Sequence, residues 1–370
     1  MKLQLSAIDT WFFRDSTPFD KEDSSQAGVV GMFPPYPTTV AGAIRAALAR
    51  RNGWDGRSPW RSEELVRVLG DGPMSVGRLR ITGPLVLYDG GPVFPVSRHV
   101  VGRDRGGGWM PEALLRPGPD AVASDLGAVG RLPIAPADPA PTTAAIDTSS
   151  ALWVTLTGLQ RILHGDLPGA ADLVPERALW AGEARVGIER AAGTHTVVEG
   201  ALYSTRHVRP DARVRLGVVV DGVPPDWSTI DDVIALGGES RLAACELWPA
   251  RDGVSFDAPP RDAQTAVVIA LTPVLFDTTA PGSGLSLPGA RIVSACIDRP
   301  LRIGGWDSLA RAPLPLRNAA APGSVWFCQL DDPDAFHASI TNGLVRAGAA
   351  TAMGFGLCAT GSAPHWETVR

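Results

Sequence analysis

Two tandem ferredoxin-like domains of the α+β class, carrying long insertions, are predicted for this chain of 370 residues. Three observations predict it. The length exceeds what one ordinary core accommodates. The N-terminal part reads strand, helix, strand, strand, helix, strand, which is the βαββαβ pattern of that fold. Beyond it, further strands, one short helix and a glycine-bearing last strand repeat the scheme in reduced form. The predicted domains are 1–252, interrupted by an insertion at about 103–190, and 261–370, ending in a glycine-rich tail.

The elements follow in order. Leu3 to Phe13 reads as a strand, with Leu3, Leu5 and Ala7 alternating with Lys2, Gln4 and Ser6 before the aromatic end Trp11-Phe12-Phe13-Arg14. Thr38 or Thr39 caps a helix whose stripe Val40, Ile44, Ala47 and Leu48 is closed by Asn52-Gly53. Met74 to Tyr88 and Val93 to Val101, joined through Asp89-Gly90-Gly91, read as a hairpin. From about Pro111 to Ser150, Pro133, Pro136, Pro139 and Pro141 mark a long irregular insertion.

Trp153 to His164 reads as helix, and Thr194 to Arg209 and Arg213 to Val220 as strands, the latter turning Val214 and Leu216 inward. Asp231 to Leu236 reads as a helix stopped by Gly237-Gly238, with Ser240 to Trp248 the strand after it. Asp252 to Ala263 resembles a linker. In the second domain the strands are Gln264 to Phe276, Ala290 to Ile297, Ser324 to Leu330 and Met353 to Thr360, with a helix over Asp334 to Thr341.

Composition excludes several function classes. The hydrophobic share of 45% is that of a globular protein, and no apolar run approaches the roughly 20 residues that span a bilayer. The start lacks an apolar signal core, so a cytoplasmic protein without a membrane partner is expected. Cys245, Cys296, Cys328 and Cys358 stand far apart, without a CxxC or a Cys/His pair at ligand spacing. Reduced, buried cysteines are expected, with no metal and no cofactor. Only Lys2 and Lys21 are lysines, so no Walker loop exists. Gly354-Phe355-Gly356 and Gly282-Ser283-Gly284 lack the third glycine of a dinucleotide fingerprint.

No HExxH or GxSxG occurs, and Asp231-Asp232 and Asp331-Asp332 sit in helix-start or turn contexts. The net charge of −5 argues against indiscriminate nucleic-acid binding, because such affinity rests on phosphate neutralisation. Any RNA contact must be local. Arg45, Arg50, Arg51, Arg57 and Arg61 form one arginine cluster, and Arg185, Arg190, Arg206, Arg209, Arg213 and Arg215 another. His207, between Arg206 and Arg209, is the most suggestive histidine; a surface or phosphate-contacting role is the better reading than catalysis.

Four blocks together carry a resemblance. They are Trp11 to Asp15 with Phe33-Pro34-Pro35 and Gly42 to Arg45; Arg185-Val186-Gly187-Ile188-Glu189 with Glu199 to Tyr203 and Val208-Arg209; Leu236 to Arg241; and Ala347 to Gly361 around Gly354-Phe355-Gly356. In this order they resemble the third-subunit family of the type III-B CRISPR (Cmr) effector complex, in the RAMP superfamily. The resemblance implies tandem ferredoxin-like (RRM-like) domains and a non-catalytic role, holding the 5′ repeat-derived tag of the crRNA. It further implies docking onto the large polymerase-cyclase subunit and a backbone RAMP subunit, with target RNA contacted indirectly. Two alternatives stand beside it: a metal-independent, repeat-processing RNA endonuclease using His207 or His99 as general acid, and a scaffold with little RNA contact.

The residues fit an RNA-binding role. Arg14 is placed near RNA, while Trp11 and Phe13 are mainly core. The helix opening at Thr38 and Thr39 presents free amides to a phosphate, with Arg45 two turns on. Arg190, Tyr203, Arg206, His207 and Arg209 alternate charge with rings in a way suited to tracking a phosphate chain. Gly354, Phe355 and Gly356 either let RNA approach main-chain amides or make a tight turn.

Overall fold

The computed structural model describes residues 1–14, 28–57, 59–60, 62–104, 106, 108–123, 129–134, 151–191, 193–194, 196–227, 229–249, 253–277, 285–307 and 312–362. Among them the chain is mixed α/β, mostly strand with few helices. The first strand, Lys2–Ala7, has the expected parity, with Leu3 and Leu5 buried between half-exposed Lys2, Gln4 and Ser6. It stops at Ala7 and does not run on to Phe13, because the next residues leave the sheet and Trp11 pairs separately with Val208.

Eight antiparallel strands form the larger sheet, in the order Leu173–Pro175, Leu152–Thr155, Gly91–Pro95, Arg80–Tyr88, Val214–Asp221, Lys2–Ala7, Leu242–Leu247 and Val233–Ala235. Four adjoining strands of it, Arg80–Tyr88, Val214–Asp221, Lys2–Ala7 and Leu242–Leu247, thus lie second, third, first, fourth in their chain order. A helix, Pro37–Arg51, packs Val40, Ala41, Ile44, Ala47 and Leu48 onto Leu3, Leu5, Leu216 and Val218. The helix ends as predicted at Asn52, followed by Gly53 at φ 89°. Its start differs: Tyr36 is the N-cap and makes no side-chain cap, and Pro37 is the first helical residue. Proline's fixed φ suits that position and its missing N–H costs nothing there, so Thr38 and Thr39 lie inside the first turn.

The predicted hairpin forms over Arg80–Tyr88 and Gly91–Pro95, with Tyr88 opposite Gly91. Asp89 and Gly90 both have positive φ, 50° and 82°, as a two-residue type I′ turn requires. Three expectations are corrected. Asp231 to Leu236 is not helical: Val233–Ala235 is an edge strand on Leu242–Leu247, and the glycines belong to the hairpin turn, where Glu239 and Ser240 have φ 52° and 54°. Trp153 to His164 divides into the strand Leu152–Thr155 and the helix Leu156–Leu163, whose cap is the Thr155 hydroxyl accepting from the Gly158 N–H at 3.2 Å.

The stretch after Pro111 is not wholly irregular. Val100–Asp104 pairs with Trp109–Leu114, and Arg116–Ala123 with Val129–Ile134. Two-stranded ribbons are all edge, so prolines such as Pro117 and Pro133 fit them without breaking a ladder. Pro136, Pro139 and Pro141 lie outside the described residues.

A second sheet has the order Ala290–Cys296, Val325–Leu330, Thr265–Ala270, Leu357–Ser362 and Leu344–Arg346. Its four longer strands again run second, third, first, fourth. The short helix Pro333–Ala338 is capped by Asp332, whose carboxylate accepts from the Ala335 N–H at 3.0 Å. All four cysteines are reduced and buried.

The two halves share their cores. Leu275, Ile303, Met353 and Phe355 join the cluster built on Leu3 and Ile44, and Leu85, Phe94 and Leu159 pack with Val267, Ile269 and Phe327. Residues 1–252 expressed alone would expose one side of both clusters and are expected to lack a cooperative thermal transition by circular dichroism. A transition matching the full chain's would contradict the shared core.

Candidate nucleic-acid interface

Trp11, Phe12 and Phe13 are buried. Trp11 and Val208 exchange backbone hydrogen bonds at 2.9 and 2.8 Å, and the indole stacks on Phe33 with ring centres 6.1 Å apart. The aromatics therefore fasten the chain, and Arg14 is the first of the block to reach solvent.

Arg14 stands at the edge of a groove made of two adjoining depressions. The smaller, of about 400 Å³, lies between Arg14, Thr39, Ala43, the Gly237-Gly238 turn and Trp306. The larger, of about 520 Å³, shares Thr39 and Trp306 and continues past Thr38, Trp54, Arg57 and Asp71. Its wall includes the first turn of the Pro37–Arg51 helix, but not with the pair of free amides expected there: Pro37 has no N–H and the Thr39 N–H already donates to the Tyr36 carbonyl at 3.0 Å, which leaves the Thr38 amide. Trp306 is 60% exposed, on a two-stranded ribbon with Ala312–Pro313.

Arg45 also borders this groove, but its guanidinium is committed internally. Nε donates to the Leu69 carbonyl at 2.6 Å, and Nη2 donates to Gly72 at 3.0 Å and Gly70 at 3.4 Å. The group lies over the Trp60 ring, 5.2 Å from its centre. Burial pushes its pKa down to about 10, against the opposing pull of Asp71. Arg45 thus holds the 69–72 loop and has little left for a phosphate.

The central arginines divide by strand parity. Trp180–Arg190 and Val197–Pro210 form a long hairpin, with Gly28–Val30 parallel to its second strand. On one face Arg185 reaches Asp9 at 2.7 Å and Glu183 at 2.9 Å, while Arg209 reaches Asp9 at 2.9 Å and also pairs with Glu183. These hydrogen bonds hold the Asp9 carboxyl down to about 2. On the other face Arg206 is exposed; Arg190, past a register shift at the strand's end, is exposed as well, and neither has an ion-pair partner among the described residues. Tyr203 lies opposite Gly187 in the ladder; its side chain is outside the described set.

His207, next to exposed Arg206, points inward as alternation demands. It is fully buried. Nε2–H donates to the Glu239 carboxylate at 2.9 Å, Nδ1 meets the Thr10 hydroxyl at 3.0 Å, and the ring stacks on Phe12 at 4.9 Å. It is a packed core residue and not the surface histidine expected. His99 is buried too, edge-on to Phe327, and burial pushes its pKa down to about 4.

The Gly354-Phe355-Gly356 segment is interior. Gly354 and Gly356 have φ 104° and 69°, and Phe355 is fully buried. A Cβ on Gly354 would overlap the Gly83 carbonyl oxygen, and one on Gly356 that of Ala347. The Gly356 N–H donates to Pro273 O at 2.9 Å. The backbone that approaches these glycines is the protein's own, which is the tight-turn alternative, and the segment braces Gly83 and Pro37 beneath the groove.

The structure thus gathers Arg14, Thr38 and Thr39 on one groove, with Arg45 in its wall. It sets Arg190 and Arg206 on the hairpin and turns Arg209, His207, Gly354, Phe355 and Gly356 to internal contacts. Trp306, Trp54, Trp60, Arg57 and Asp71 were not singled out from sequence as site residues. Trp54 and Trp60 lie within the first arginine cluster, which was the available signal.

A family model described as "CRISPR-associated protein (Cas_Cmr3)" matches residues 3–363. No curated protein sequence matches the chain. Among solved structures, a chain of the type III-B Cmr-β complex bound to cognate target RNA and AMPPnP is 16% identical, with a TM-score of 0.53 over 92% of this chain and 90% of that one. A chain of the same complex bound to cognate target RNA alone gives 16% identity and a TM-score of 0.51, with the same coverage.

Proposed function

The chain belongs to the Cas_Cmr3 family of CRISPR-associated proteins, subunits of the type III-B Cmr system of antiviral defence, and from that premise we propose that it is the non-catalytic subunit that holds the 5′ repeat-derived tag of crRNA. In that role it bridges the large polymerase-cyclase subunit to the RAMP backbone and meets target RNA only through the assembly. The groove is the observation that carries the reading. It joins an exposed indole, Trp306, to an exposed arginine, Arg14, and to the opening turn of a helix. Those are the components of single-strand recognition: a face for a base, a cation for a phosphate, and the Thr38 amide for one of its oxygens.

The repeated strand order supports a reading as two ferredoxin-like units. The first keeps the helix after its first strand, Pro37–Arg51, and the second keeps the helix after its third, Pro333–Ala338. The RNA-recognition fold is built on such a sheet, but here both faces of Thr265–Ala270 are buried, so the RNA contact is assigned to the groove and not to a sheet face. The burial of His207 and His99 supports a non-catalytic reading, because a general acid must reach its substrate.

The test is competition between tagged RNA and RNA with a scrambled 5′ end, on the assembled complex. Tagged RNA is expected to win and to be recovered intact. Trp306→Ala should weaken binding by about 5- to 150-fold, the value of one stacked base. Arg14→Ala should lower the salt slope by about 0.7. Equal retention of both RNAs would refute the tag-holding role. A discrete metal-independent cut, lost in His207→Gln, would replace it with the endonuclease.

A further inference from the structure

The larger depression is lined by two carboxylates that phosphate binding does not explain, Asp71 and Asp307, of which Asp307 is already engaged within the protein. Asp71 borders it, is exposed, and has no hydrogen-bond or ion-pair contact among the described residues. A carboxylate there repels a phosphate chain, so RNA lying in the groove must turn donors toward it. The carboxylate is also held in place. Arg45 grips the carbonyls of Leu69, Gly70 and Gly72 on both sides of Asp71, and the Trp60 indole N–H donates to Gly70 O at 2.9 Å. Gly70, at φ 83°, packs so closely on Ser75 that a Cβ would overlap its backbone. A pinned loop of this kind presents its carboxylate without ordering cost on binding.

We propose that this groove is a guanine-selecting subsite, in which Trp306 stacks on one unpaired base and Asp71 reads its Watson–Crick edge. The inference rests on the tag-binding reading and adds a base preference to it. A carboxylate is acceptor-only and takes two N–H groups side by side. Guanine alone offers two adjacent donors on that edge, N1–H and the N2 amine. Adenine and cytosine set one amine beside an acceptor, and uracil flanks a single N–H with two carbonyls that the carboxylate repels. Arg45 is then a positioning residue, aligning the reading group through the loop. Arg57, exposed on the same groove without an ion-pair partner among the described residues, is the cation for the adjoining phosphate.

The experiment loads the assembled complex with RNA whose tag positions are randomised and sequences what is retained. The wild-type protein is expected to enrich guanine at one position by about tenfold, as a bidentate contact gives. Replacing that guanosine by inosine, which lacks the N2 amine, should cost most of the factor. Asp71→Asn presents an acceptor beside a donor, a pair that every base can meet on that edge, so the guanine enrichment should be lost and inosine should cost the variant nothing. An unchanged melting temperature for the variant shows that the loop is intact. Tagged RNA preferred over scrambled RNA, with no guanine position or with one that Asp71→Asn leaves alone, overturns the base selection and spares the tag reading. Failure to prefer tagged RNA at all removes both.

Discussion

Gly356→Val is expected to cost the protein about 4 kcal/mol or more, enough to remove most of a typical domain's stability. Two independent penalties act at this position. The backbone has φ 69°, where a β-branched residue is strained by about 1–2 kcal/mol or more. The new Cβ would also overlap the Ala347 carbonyl oxygen. That oxygen cannot retreat freely, because the Ala347 N–H donates to Gly356 O at 2.8 Å and the Gly356 N–H donates to Pro273 O at 2.9 Å. Relief would therefore come from displacing Phe355, which is fully buried in the shared core. Gly42→Ala is the control. It sits inside the Pro37–Arg51 helix with no atom within 4 Å of an added Cβ, so alanine's helix preference should raise stability by roughly 0.5–1 kcal/mol. Urea titration of both variants decides the matter. A Gly356→Val midpoint close to wild type would mean that the turn has another way to pack.

The contrast between those glycines shows what was legible in the sequence. Periodicity located elements whose two faces differ in solvent exposure, such as Lys2–Ala7, Val214–Asp221 and Pro37–Arg51. It failed where a short edge strand is decided by its pairing and not by its own pattern. Val233–Ala235 is a strand because Leu242–Leu247 offers it an edge, while its local sequence, acids followed by an apolar run and two glycines, is equally that of a capped helix. The ribbons after Val100 failed for the converse reason, since proline and glycine are tolerated where each strand has only one partner.

The candidate site was legible in part. Arg14 and the Thr38-Thr39 turn, 24 residues apart in the chain, lie on one groove. Arg45 and His207 were misjudged because charge and linear neighbourhood say nothing about what a folded side chain meets. Arg45 meets three carbonyls from the 69–72 loop. His207 meets Glu239, Thr10 and Phe12, which come from the first fifteen residues and from a turn more than thirty residues on. Trp306 is some 270 residues from the helix whose groove it borders. No local pattern encodes that meeting, and only the shared core of the two halves brings it about.

That shared core carries a titratable group, and acid is expected to loosen it between about pH 6.5 and 4. His99 lies edge-on to Phe327, with ring centres 5.8 Å apart, and its Nδ1 has no hydrogen-bond partner among the described residues. Desolvation alone lowers its pKa from 6.5 to about 4. A depressed histidine pKa means that the fold favours the neutral ring. The associated stability is fully present above the unfolded value of 6.5 and drains away as pH falls through the window to about 4. At 1.36 kcal/mol per pH unit the loss over that window is about 3 kcal/mol. Asp9 adds to acid sensitivity with the same sign, but its window runs from 3.8 down to about 2. Its side chain is 48% exposed, so solvent screening leaves its share small. The two effects therefore separate on the pH axis. Urea midpoints at pH 7, 5.5 and 4.5 should fall steadily for the wild type, whereas His99→Gln, less stable at pH 7, should hold a nearly level midpoint across the same range. Equal slopes for the two proteins would assign the acid response to other groups and leave His99 a packing residue only.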